Sequence, residues 1–311
     1  MEHSPQKQAS AAAPFDSAAV EAKRLHDQVV QTRRRHLLPR AFVAGILAGL
    51  LGVAFRLALE WGGEGRSEWL GRMRETLGEA GWIVTALLCA IAGAVAVWLV
   101  KQFAPEASGS GIPHVKAVIS GLRTMRWIRT TLVKFFGGVL AIGSGMALGR
   151  EGPTVQMGAA MGQLVGEKSG SGDMERRNLV SAGAAAGLTA AFNAPLAGIL
   201  FVIEELHGKI TPNTFFGAFI ACVTADTVMR LSLGQEPYFG LMNFDLMPLG
   251  LLPAFVLLGL FAGWGGVLFN KSMIIALDFF AARAKGCPFG GRSGGGGRGG
   301  ARGVVPSRCR G

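Results

Sequence analysis

Past residue 40 this chain is a succession of apolar stretches. From residue 112 onward, glycine and proline cut them into pieces, several too short to cross a bilayer. An α-helix rises about 1.5 Å per residue, so a hydrocarbon core about 30 Å thick needs about 20 residues. Residues 41–59, apolar except for Arg56, and residues 80–100, closed by Lys101, are long enough to span. The stretches that follow are 112–121, 128–148, 153–165, 179–191, 195–203, 211–231 and 249–280, and several fall short of that length. Broken helices persist in a membrane only where they are buried in protein or line a polar cavity. Such interruptions typify transport proteins. The pattern predicts an all-α, polytopic membrane protein with broken and re-entrant helices.

Composition removes the main alternatives. Half of the 311 residues are hydrophobic and 16% are charged, against about 25% in an ordinary soluble domain. The 47 glycines suit close helix packing in lipid. Gly45/Gly49, Gly158/Gly162/Gly166, Gly183/Gly187 and Gly259/Gly263 have the spacing of such contacts. Four cysteines exclude a disulfide-stapled secreted fold, and five scattered histidines show no metal-ligand spacing. The net charge of +11 is not a nucleic-acid footprint, because it gathers at the two ends. Residues 283–311 hold seven Lys/Arg and no acid, and residues 1–40 hold seven Lys/Arg and four acids.

This divides the chain into a polar cytoplasmic N-terminal segment (1–38), a transmembrane domain (39–282) and a disordered Gly/Arg-rich tail (283–311). The N-terminal segment lacks the apolar core of a signal peptide. The tail is expected to reflect a frameshift, a cloning artefact or a gene fragment. Arg123, Arg126 and Arg129 share one loop without an acid, whereas residues 231–269 contain no Lys or Arg. Residues 60–79 read as a polar loop with five Glu against three Arg. The positive-inside rule then places the N-terminus and the Arg123 loop in the cytoplasm.

Three glycine-rich segments each open a helix inside the apolar block. They are Gly109-Ser110-Gly111-Ile112-Pro113, Gly149-Arg150-Glu151-Gly152-Pro153 and Phe192-Asn193-Ala194-Pro195-Leu196-Ala197-Gly198. Proline near the first helical position forfeits no hydrogen bond. Small residues before it let the backbone approach a ligand. A helix start presents unpaired N–H groups and about half a positive charge. Several such ends converging at mid-membrane would hold an anion without a full cation, which would bind too tightly to release it. Gly143, Gly145 and Gly149 imitate a nucleotide-binding loop, but no strand precedes them.

Taken together, these segments resemble the CLC family of chloride channels and chloride/proton antiporters. The resemblance runs from about residue 105 to residue 206. It rests on 105–113, Val133-Lys134-Phe135-Phe136-Gly137-Gly138, 149–156, 183–188 and 192–206, in family order and spacing. It implies a chloride-binding region of Ser110, Gly111, Ile112, Arg150, Glu151 and Gly152, with the Ser110 hydroxyl donating to the ion. Glu151 would be the gating glutamate, whose carboxylate competes with chloride and swings away when protonated. A carboxylate at a helix start does mimic an anion, and an ionisable residue inside a membrane block is functional by default.

Glu205 resembles the inner proton-transfer glutamate of the antiporters, with Glu204 beside it. Lys134 resembles a lysine that biases the path toward anions; its plainer reading is a snorkelling side chain. Arg150 also reads as a structural partner. The resemblance implies no cofactor and no metal. The implied partners are chloride, protons, the lipid bilayer and, in full-length members, a second copy in a homodimer whose interface is only partly present here. The implied location is a bacterial-type inner membrane.

The family fold has two inverted halves, and this chain resembles the first half plus the first long helix of the second. The later Gly-x-Phe-x-Pro motif is absent, and the only tyrosine, Tyr238, is not where the family has its inner gate. Chloride/proton antiport is the function expected of the type, with a passive voltage-gated chloride channel as the alternative, against which Glu205 argues. The 311-residue chain alone is expected not to transport chloride at a useful rate, its Ser110, Lys134 and Glu151 facing lipid. An intramembrane enzyme is disfavoured: His114 lies near Ser110 but lacks an orienting third partner.

Overall fold

The computed structural model describes residues 17–208, 211–234 and 248–284, with side chains from residue 35 onward except at 79, 249, 281, 282 and 284. Every regular element among them is helical. The chain divides into two units, residues 1–241 and 242–311. The first contains α1 (Ser17–Leu77), α2 (Gly81–Phe103), α3 (Ile112–Ile119), α4 (Trp127–Gly143), α5 (Glu151–Lys168), α6 (Asp173–Phe192), α7 (Pro195–Phe201) and α8 (Pro212–Leu233). A π-helical turn, Val202–His207, continues α7. The second unit contains α9 (Leu252–Ala284). Among the described residues, four helices are long and apolar enough to cross a membrane: α1 from Arg35, α2, α8 and α9.

Residues 60–77, expected as a loop, instead extend α1. Polar composition does not forbid a helix. Arg56 and Glu60 pair at 2.8 Å one turn apart, and the Arg66 guanidinium lies against Gly145. The predicted breaks elsewhere are real. Pro195 cannot continue α6, so Asn193 takes a left-handed φ of 52° and Pro195 opens α7. Thr211 caps α8 by accepting the Thr214 N–H at 3.3 Å, with Pro212 next to it.

The first unit packs backbone against backbone. A Cβ on Gly158, Gly162, Gly183 or Gly187 would come within 3 Å of the backbone of the opposing helix, so α5 and α6 can approach only as glycines allow. Gly45 and Gly49 bring α1 onto α8 at Ala221 and Ala225 in the same way. Leu37, Ala41, Ala44 and Ala48 of α1 complete this layer with Leu179, Ala182 and Ala186 of α6. In lipid, such close contact supplies the dispersion attraction that water exclusion cannot. Arg40, well inside α1, ties that helix to the α5–α6 turn, donating to Glu175 (2.6 Å), Ser171 (2.9 Å) and the Ser169 carbonyl (3.1 Å).

Candidate anion site

The packing of α5 on the segment before α3 brings two of the three glycine-rich helix starts together. α3 begins after Gly111, whose φ of +83° favours glycine. α5 begins at Glu151. Gly152 lies directly on Ser110: a Cβ there would sit 2.6 Å from the Ser110 carbonyl oxygen and 2.9 Å from its Cα. Neither helix start has a side-chain cap. Their first N–H groups thus keep their affinity for an anion. Ser110, Gly111, Ile112, Glu151 and Gly152 therefore form one cluster. α7 also starts uncapped, but it packs on α6 and α8, with Gly198 against Ala185, Thr189 and Cys222.

The Glu151 side chain folds back beside Gly149, and among the described residues its carboxylate has no hydrogen-bond donor. It sits in the first turn of α5, where the helix dipole favours a negative charge. Arg150 does not extend the anion cluster with its side chain. Its guanidinium donates to the Ala191 carbonyl at 2.9 Å and anchors the start of α5 to the end of α6.

Lys134 neither snorkels nor faces lipid; it is 6% exposed. Its ammonium donates to the Ala107 carbonyl at 2.8 Å and the Gly109 carbonyl at 2.6 Å. These carbonyls belong to the segment that carries Ser110, so Lys134 holds that segment from behind. Glu204 and Glu205 lie in the π-helical turn, exposed, and Glu205 pairs with Lys116 at 3.4 Å. Ten residues separate Glu205 from the α7 start, about 15 Å of helix at 1.5 Å per residue. The structure does not gather this pair into the Ser110 cluster.

No site role is expected of Gln156, Glu106 or Lys116 from the sequence, and Arg126 is expected only as part of a cytoplasmic loop. Gln156 lay inside a quoted motif, and its signal was an amide in a helix of otherwise small and apolar neighbours. Glu106 is clamped by Arg126 at 3.0 and 3.2 Å. Burial pushes the Glu106 carboxyl up, but its backbone hydrogen bond and Arg126 outweigh this, and it ends below the usual carboxylate range. A Ser–His contact does exist, Ser181 Oγ to His207 Nε2 at 2.8 Å, but Ser181 is fully buried within α6.

Two uncapped helix starts meeting at Ser110, inside a bundle of broken apolar helices, form a candidate anion site in a membrane protein. Residues 92–289 match the model of the voltage gated chloride channel family, and the chain belongs to that family. It is similar to the H(+)/Cl(-) exchange transporter ClcA of Vibrio cholerae, 43% identical over 245 residues, covering 77% of this chain and 52% of the relative. The protein of that name from Vibrio parahaemolyticus is 42% identical over 251 residues, covering 79% and 53%. The chain thus spans about half the length of the curated relatives it matches. Among solved structures, a slow cyanobacterial Cl-/H+ antiporter matches with a TM-score of 0.72 and 36% identity, over 79% of this chain and 58% of that one. A CLC-type fluoride/proton antiporter shares the fold, with a TM-score of 0.62 at 23% identity over 80% and 60%.

Proposed function

We propose that this chain carries the chloride site and gate of a CLC-type chloride/proton antiporter of the bacterial inner membrane, and that it is a transporter and not an enzyme. The observation that carries this is the contact of Gly152 with Ser110, which sets two uncapped helix starts side by side, with Glu151 in the first turn of α5. Chloride would accept from the Ser110 hydroxyl and from N–H groups at the starts of α3 and α5. Ionised Glu151 would compete for those donors, and its protonation would release them. Protonation of Glu151 and occupancy of the site by chloride would thus be linked, as coupled transport requires. Glu205, with Glu204, would pass protons to the gate from the inner face. The Arg-rich loop 122–129 would face the cytoplasm, as would the N-terminus, and a second copy would complete a homodimer.

The test is a fusion of this chain to the second half of the Vibrio cholerae relative, in proteoliposomes read with chloride and pH electrodes. Glu151→Gln should leave chloride flux uncoupled from protons. Glu205→Gln should stop proton movement and keep chloride flux. Chloride flux without proton movement in the unsubstituted fusion would favour the channel alternative.

A further inference from the structure

The segment from Glu106 to Gly109 turns three carbonyl oxygens toward buried side-chain donors. Lys134 takes those of Ala107 and Gly109. The third carbonyl, that of Glu106, accepts from Gln156 Nε2 at 2.8 Å. Gln156 is 0% exposed and lies on α5, five residues after Glu151. Its Nε2 also stands 3.3 Å from His114 Nδ1 of α3. Its Oε1 is packed against Gly111, the residue before α3, and has no hydrogen-bond partner among the described residues. One amide thus touches both sides of the Ser110 turn. Burying a polar side chain with one end unsatisfied is costly, and an apolar side chain of similar length would avoid that cost.

We infer that Gln156 is a positioning residue: it transmits the placement of the Glu151 helix to Ser110 by holding the Glu106 carbonyl away from the anion and bracing Gly111. This rests on the reading of Ser110 as the chloride ligand. A carbonyl oxygen turned toward an anion is repulsive, so a loop that binds chloride through N–H and O–H groups must keep its carbonyls elsewhere. The amide orientation follows from its partners, because only Nε2 can donate to the Glu106 carbonyl. The Nε2–His114 contact is a hydrogen bond only when Nδ1 carries no proton.

The experiment compares the 311-residue chain with its Gln156→Met and Gln156→Glu variants in lipid nanodiscs. Amide hydrogen exchange is followed peptide by peptide, and chloride binding by calorimetry. Gln156→Met keeps length but donates nothing. It should speed exchange of amides 106–112 about tenfold or more while α6 and α8 keep their protection, and it should weaken chloride binding by a similar factor. Gln156→Glu should behave like Gln156→Met at neutral pH. It should regain wild-type protection in acid, because a protonated carboxyl donates where a carboxylate cannot. Unchanged exchange at 106–112, or an increase spread evenly over all helices, would overturn the positioning role. So would a Gln156→Glu variant with no recovery in acid. A wild-type chain that binds no chloride would overturn the chloride reading itself; because it appears without any substitution, it is distinguishable from a failure of the positioning role.

Discussion

Replacing Lys134 with methionine isolates the main support of the Ser110 segment. The substitution conserves length and removes one charge and two hydrogen bonds, to the Ala107 and Gly109 carbonyls. A hydrogen bond from a charged donor contributes about 1.5–3 kcal/mol, so the two sum to roughly 3–6 kcal/mol. Methionine escapes the desolvation of a buried ammonium, which returns part of that. The two carbonyls, however, lose their donor inside the protein. A net destabilisation of about 2–4 kcal/mol results, and at about 2–4 °C per kcal/mol for a chain of this size the melting point should fall by roughly 4–16 °C. Tryptophan fluorescence during heating in detergent reads this directly. A parallel chloride titration should show weaker binding, because the carbonyls become able to turn toward the anion. A Lys134→Met protein that melts with wild type and binds chloride equally would refute the argument that this lysine holds the loop.

Gly183→Ala should destabilise by about 3 kcal/mol or more, since its methyl would press on the Gly158 carbonyl of a backbone that cannot yield; thermal unfolding checks this. Arg40→Gln should cost about 1–2 kcal/mol and loosen the α5–α6 turn, seen as faster amide exchange at 169–175, because Arg40 is partly solvated but makes three contacts there. The lowered Glu106 carboxyl should stabilise the fold at and above about pH 5, and that stability should fade as acid protonates it below the usual glutamate value of about 4.3. Arg126→Gln should shift the loss to higher pH in a pH-dependent melting series.

The helix breaks were legible because proline and glycine act locally. Pro195 and Asn193 stop and restart a helix whatever surrounds them, and the Gly158/Gly162/Gly166 and Gly183/Gly187 spacings state a close approach before any partner is known. Residues 60–77 misled because a charged stretch looks the same as a loop or as a solvated helix when the deciding contacts, such as Arg66 on Gly145, are distant in sequence. The π-helical turn under Glu204 and Glu205 had no signal, since an extra residue per turn leaves the apolar spacing ambiguous over six positions. Ser110 and Glu151 were read through their motifs. The hydrogen bonds of Lys134 had no local signal, because the carbonyls it reaches lie 25 and 27 residues earlier. Gln156 stands out only as an amide among apolar neighbours, and its partner lies 50 residues away.

The most direct measurement of the central claim is anomalous diffraction from bromide-soaked crystals of the Glu151→Gln protein beside the unsubstituted one. With the competing carboxylate neutralised, a bromide peak should appear within hydrogen-bond reach of the Ser110 hydroxyl and of the first N–H groups of α3 and α5, and it should be weaker or absent when Glu151 is ionised. A peak of equal height in both proteins would remove Glu151 as the competitor. No peak near Ser110 in either would contradict the anion site itself.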